Sequence, residues 1–171
     1  ADMQAAMEQH NLPLWALESQ KPVKDFDMIA FTIGYEMCYT NILNMLRLSG
    51  VPLHSKDRHD LKNIVFAGGV CAYNPEPLSS YIDFFSLGEG EESTVEIVSL
   101  YDKAKQEGWS KEQFLLAVAQ IPGVYVPSFY EHRYHDDGTL AQIVPLMEGV
   151  PTTFTKRIVE DLDSAYYPTK M

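Results

Sequence analysis

Cysteine is scarce in this chain, and its two thiols, Cys38 and Cys71, stand far apart without metal-like spacing. That excludes a disulfide scaffold and a cysteine metal knuckle. Long apolar runs are missing too: none approaches the roughly 18 residues that a membrane helix needs. Cations are outnumbered, with 13 Lys and Arg against 24 Asp and Glu, a net charge of −11. The few cations are scattered, so a phosphate backbone is repelled and nucleic acid is excluded as a partner of this segment. These residues show no signal-like segment and no low-complexity tract, and with only two separated cysteines a reducing, cytoplasmic setting is expected. What remains is ordinary globular material: 171 residues, 46% hydrophobic and 12% aromatic, enough for one packed core.

The apolar pattern alternates strand-like and helix-like. Residues 1–10 place Met3, Ala6, Met7 and His10 on one helical face, and the lack of an initiator Met suggests a start inside a larger protein. Residues 14–17 read as a short strand. Met28-Ile29-Ala30-Phe31-Thr32 is nearly all apolar without alternation, as in a central parallel strand buried on both faces. A helix over 35–49 follows, stopped by Gly50 and Pro52. Residues 63–67 give a second central strand ending in Gly68-Gly69, then come a short helical stretch at 78–81 and a strand at 82–87. A helix over 94–106 carries Val95, Val98, Tyr101 and Ala104 near one face. Such alternation predicts a mostly parallel α/β sheet with right-handed crossovers and helices on both faces.

After Gly108 the pattern changes. Ser110-Lys111-Glu112-Gln113 is a capping box opening a helix to about Gln120. Strand-like segments at 124–130 and 131–134, the turn pair Asp137-Gly138 and a returning strand at 139–144 predict an antiparallel hairpin. The expected division is an α/β domain over 1–121, a hairpin extension over 122–150 and an extended linker over 151–171.

Candidate chemistry is sparse. Gly88-Glu89-Gly90 sits between strand and helix, where a phosphate-binding turn would sit. Glu89, Glu91 and Glu92 place carboxylates there, and Ser93 replaces the third glycine, so a dinucleotide loop is disfavoured. Two readings stay open: the acids complement the helix dipole, worth about 0.3–1 kcal/mol each, or a neutral or polar ligand lies near the loop. Gly34 and Gly68-Gly69 at strand ends permit close approach of a flat ligand, or simply make tight turns. His132 and His135 point to opposite faces of a strand, while His54 and His59 share a polar loop with Lys56, Asp57 and Arg58 and read as solvated. No catalytic residue and no metal site is assigned.

Several strings together carry a family resemblance: Leu17-Glu18-Ser19, Asp25-Phe26-Asp27, Tyr39-Thr40-Asn41, Ala67-Gly68-Gly69, Asn74-Pro75-Glu76-Pro77, Gly88-Glu89-Gly90-Glu91, Ile121-Pro122-Gly123-Val124-Tyr125-Val126-Pro127 and Tyr167-Pro168-Thr169. The chain resembles the amino-terminal, cobalamin-binding-like domain of a bacterial radical S-adenosylmethionine protein family. The resemblance implies a flavodoxin-like, Rossmann-like sheet truncated at its first strand, which would lie between residues 14–17 and Met28–Thr32. It implies a radical core in the same parent chain, whose Cys-x-x-x-Cys-x-x-Cys motif holds a [4Fe–4S] cluster and uses S-adenosylmethionine. That motif is absent from these residues, as is the Asp-x-His-x-x-Gly signature of base-off cobalamin binding. Thr32-Ile33-Gly34 and Gly68-Gly69 are loose counterparts of two cobalamin-contacting segments.

On this resemblance the domain is expected to handle a cofactor, with cobalamin the candidate, or a substrate for an iron-sulfur radical enzyme, with Thr32, Gly34, Tyr35, Gly68, Gly69, Asn74, Gly88, Glu89 and Gly90 as candidate cofactor-binding residues. The alternative is a ligand-free docking domain that positions the radical core or a partner protein. The isolated chain is expected to hold no cofactor tightly. Residues Met28–Thr32 are expected to pair with residues 14–17 shifted inward, or with a second copy to give a dimer through the open sheet edge.

Overall fold

The computed structural model describes residues 2–167. The last part of the expected linker, 168–171, lies outside the described residues, and with it the Pro168-Thr169 of the resemblance.

The chain is mixed α/β. Helix α1 (Asp2–Gln9) precedes strand β1 (Met28–Thr32), helix α2 (Tyr39–Ser49) and strand β2 (Ile64–Gly68). Strand β3 (Phe84–Ser86), helices α3 (Gly90–Glu107) and α4 (Lys111–Val118) and strand β4 (Val124–Tyr125) follow, then the hairpin strands β5 (Tyr130–Tyr134) and β6 (Leu140–Pro145). The main sheet has the order β1-β2-β3-β4: the first three strands are parallel and β4 is antiparallel to β3. β5 and β6 form a separate antiparallel sheet.

β2 is the strand whose apolar run delivers burial on both faces, with Ile64, Val65, Phe66 and Ala67 all buried. On one face Phe66 stacks on Phe84 at 4.9 Å between ring centroids, and Phe84 meets Phe114 of α4 edge-on. On the other, Phe85 stacks with Tyr125, which packs against Tyr130 and Phe154. Burial of such rings, at about 25 cal/mol per Å² of apolar surface, is the main force holding the sheet.

Several sequence expectations are corrected. β1 is not central: it lies at the sheet edge, pairs only with β2 among the described residues, and leaves Ala30 and Thr32 exposed. Its composition suits a buried strand, but burial depends on neighbours, and the sheet order supplies one only on the β2 side. Residues 14–17 are not a strand and do not reach β1. Trp15 makes a single antiparallel bridge to Pro22, Ala16 N donates to Lys21 O, and Leu17 stands 89% exposed. Pro13 and Pro22 flank this stretch, and Gln20 turns it with φ +55°, so it closes on itself.

The strand expected over 124–130 is cut to two residues because Pro127 opens a single turn of 3-10 helix over Pro127–Phe129. The helical stretch expected at 78–81 is instead a 3-10 turn at Glu76–Leu78. In α3 the buried stripe is Ser93, Ile97, Tyr101 and Ala104, whereas Val95 and Val98 face solvent.

Two local signals hold. Ser110 accepts from Gln113 N and the Gln113 side chain accepts from Ser110 N, a complete capping box. The hairpin turns at Asp137-Gly138: Gly138 has φ +82°, and Asp137 Oδ1 accepts from Thr139 N at 2.9 Å. The loop is longer than a two-residue turn, since His135 N donates to Thr139 O and regular pairing stops at Tyr134 and Leu140.

Candidate functional site

The carboxyl ends of β1 and β2 bring six of the nine sequence candidates together. Beyond β1, Ile33 N donates to Gly68 O at 2.7 Å and Ile33 O accepts from Cys71 N at 2.9 Å, locking the two loops side by side. Thr32, Gly34 and Tyr35 belong to one loop, and Gly68, Gly69 and Asn74 to the other. Tyr39 ties them: its hydroxyl lies 3.2 Å from Cys71 O and 3.3 Å from Asn74 O. Burial pushes the Tyr39 hydroxyl up, keeping it a donor.

The glycines here serve different ends. Gly69 has φ +95°, and a Cβ on it would sit 2.8 Å from Ile33 O, so the approach of the chain to itself requires glycine. Gly34 is different: a Cβ there would meet nothing within 4 Å, and the space beside it is open.

Around this junction the surface is apolar. Tyr35, Met37, Val70 and Tyr73 are 59%, 72%, 70% and 53% exposed. Cys38 and Cys71 lie half-buried beneath them as free thiols. Burial, then the nearby Glu36 carboxylate, pushes the Cys71 thiol up, which disfavours a reactive thiolate.

The remaining three candidates, Gly88, Glu89 and Gly90, sit at the end of β3 and the start of α3, where residues 155–159 cross as a strap. Gly88 makes a parallel bridge to Arg157: Arg157 N donates to Leu87 O at 2.9 Å and Glu89 N to Arg157 O at 3.0 Å. A Cβ on Gly88 would fall 2.2 Å from Arg157 O. Val159 N donates to Glu89 Oε2 at 2.5 Å. The Arg157 guanidinium reaches Glu92 Oε2 at 2.6 Å and Glu96 Oε1 at 2.8 Å. The Glu92 carboxylate holds that guanidinium even more firmly protonated. Residues in the acidic loop therefore anchor the strap, a partner that sequence spacing did not show.

Sequence reasoning also missed a buried ionic network at the opposite, amino end of the parallel strands. Arg58, read as part of a solvated loop, is 4% exposed. Its Nη2 lies 3.0 Å from Asp83 Oδ2, while Lys111 Nζ lies 2.7 Å from Asp83 Oδ1. Ser55 Oγ and Val65 N also donate to Asp83. Asp83 lies within the expected strand 82–87, and a charged residue in an apolar strand is the signal that points to a buried partner.

Among the described residues no group of three or more His, Cys, Asp or Glu side chains is arranged to hold a metal ion. The two cysteines of the chain do not suffice for a [4Fe–4S] cluster. No described helix is long and apolar enough to cross a membrane.

A family model described as radical SAM proteins, N-terminal, matches residues 1–127. Comparison with the curated proteins and with the solved structures gives no match.

Proposed function

Because the chain belongs to the family of N-terminal regions of radical SAM proteins, we propose that it is a docking module whose sheet-end surface, centred on Tyr35, Met37, Val70 and Tyr73, abuts the radical core of the same chain. The carrying observation is that the end of the sheet where α/β proteins usually bind ligands presents exposed apolar side chains on a rigid base. The Ile33–Gly68 and Ile33–Cys71 hydrogen bonds and the Tyr39 tie fix that base. Four large apolar groups left in water at one spot are the mark of an interaction surface. The [4Fe–4S] cluster and S-adenosylmethionine belong, on this proposal, to the core. A cytoplasmic setting accords with the two free thiols.

The test is association in trans. The longer protein is cleaved between this module and the core, and the pieces are run on gel filtration. The proposal expects them to co-elute, and expects the double variant M37E/V70E, which changes only exposed positions, to separate them. Co-elution unaffected by M37E/V70E would overturn it.

One observation favours cofactor handling as a second reading. The exposed space beside Gly34 is open, and Thr32, Tyr35, Gly68, Gly69 and Asn74 belong to the two adjoining loops, which leaves a flat cobalamin-like ligand room to approach the β1–β2 half of the sheet end. On the β3 half, Gly88, Glu89 and Gly90 are engaged by the strap, so such a ligand would have to displace residues 155–159 or sit to one side. A cobalamin spectrum in the anaerobically purified longer protein, lost on G34W, supports this reading; its absence leaves docking alone.

A further inference from the structure

We propose that the cavity at the amino end of the parallel strands, opposite the docking surface, binds a small organic oxyanion: a phosphate or carboxylate carried on an apolar body. The cavity has a volume of about 760 Å³, within the range of ordinary ligand sites, roughly 300–1,000 Å³. Its lining combines the polar His54, Lys56, His59, Ser79, Ser80 and His132 with the apolar Leu115, Phe129 and Met147. In a chain with net charge −11, this concentration of cationic and imidazole groups stands out.

The floor sets the electrostatics. Arg58 and Lys111 are two buried cations against one buried carboxylate, Asp83. Their donors are already engaged: Arg58 bonds Asp83, Pro52 O, Leu53 O and Tyr81 O, and Lys111 bonds Ser55 O and Arg58 O besides its contact with Asp83. These two side chains therefore do not grip a ligand. Within the buried trio Arg58–Asp83–Lys111 they leave one positive charge in excess, while Asp60 acts on Lys111 from nearby and Glu112 stands exposed on the wall. Direct contacts fall to groups with free valence. Lys56 and His59 are exposed at the mouth. His132 also lines the cavity, but its Nε2 is turned to Glu76 Oε2 at 3.1 Å and is not counted among the ligand contacts. His54, held flat against Tyr81 at 4.9 Å, is a pre-oriented donor. Half-buried Met147, with the edges of Leu115 and Phe129, offers an apolar contact that an organic body can use and an inorganic ion cannot.

The test is a titration of the whole chain in phosphate-free buffer, followed through the imidazole NMR signals of His54, His59 and His132. The probes are phenyl phosphate, benzoate, inorganic phosphate and uncharged benzyl alcohol. Saturable shifts of these signals are expected with phenyl phosphate or benzoate, the tighter of the two naming the head group, and none with benzyl alcohol. The double variant K56Q/H59Q, exposed and outside the ionic floor, is expected to weaken binding about tenfold. No saturable shift up to about 10 mM of either organic anion, a millimolar limit set by the weakest specific binding, would overturn the proposal. So would equal binding to K56Q/H59Q, or inorganic phosphate binding as tightly as phenyl phosphate.

Discussion

Gly88 and Arg157 are in backbone contact across 69 positions of sequence, so close that a Cβ on Gly88 would lie 2.2 Å from the Arg157 carbonyl oxygen. The strap formed by residues 155–159 is seated by this contact and by the carboxylates of Glu89, Glu92 and Glu96. The substitution Gly88→Ala is expected to push the strap off, both by collision and because Gly88 has φ +104°. The cost is about 1–3 kcal/mol, and the readout is faster proteolysis within residues 155–159 together with a lower urea midpoint.

Arg157→Met tests the strap's side chain alone. The guanidinium is shared by two half-exposed carboxylates, so its loss is expected to lower stability only modestly and to raise exchange of the Val159 amide. A strap that remained equally protected in both variants would show that Arg157 is incidental.

The Arg58–Asp83–Lys111 network makes the strongest stability prediction. Asp83 is buried with its carboxylate accepting from Ser55, Arg58 and Val65 and contacting Lys111. Asp83→Asn leaves two buried cations without a counter-charge, an expected loss of about 3–5 kcal/mol. Chemical denaturation checks it.

Which of these features the sequence showed depends on whether their cause was local. The capping box at Ser110 and the turn at Asp137-Gly138 lie within four residues of their partners, and both were legible. The 64–68 strand was legible because a run apolar on both faces needs cover on both. Met28–Thr32 has the same composition yet sits at the edge, since composition does not encode strand order. Arg58 sits among His54, Lys56, Asp57 and His59 and looked solvated; only the arrival of Asp83 shows otherwise. At the candidate site, Gly34, Gly69 and Gly88 were equivalent as letters. The structure separates them into one beside open space, one packed on Ile33 and one packed on Arg157. Arg157 itself lies in a segment with no periodicity, where nothing local announces a partner.

Alkaline pH should destabilise the fold. Burial, reinforced by Asp27, pushes the Tyr101 hydroxyl up to about 12, and burial likewise raises Tyr125 and Tyr130. A phenol whose folded pKa exceeds its unfolded value near 10 binds more protons folded than unfolded in that window. Its stabilisation is therefore complete below about pH 10 and falls by about 1.4 kcal/mol per pH unit per group above it. Burial lowers Lys111, which opposes this trend. Tyr101→Phe is expected to flatten the pH 10–12 decline in stability, at the cost of the hydrogen bond to Leu61 O.

β1 offers a further check on assembly. Its outer edge has no partner among the described residues, and open edges recruit strands. Light scattering on the isolated chain reads the outcome: a concentration-dependent dimer abolished by Ala30→Pro implicates this edge, and a monomer at all concentrations removes self-pairing.

Hydrogen exchange tests the docking account most directly, by comparing this chain alone with the same residues inside the longer radical SAM protein. The account predicts that the amides of residues 34–38 and 70–74 slow by at least about tenfold in the longer protein, on the scale of about 1.4 kcal/mol of added local stability, while residues 54–59 at the opposite end of the sheet are unchanged. Equal exchange of residues 34–38 and 70–74 in both proteins would contradict it.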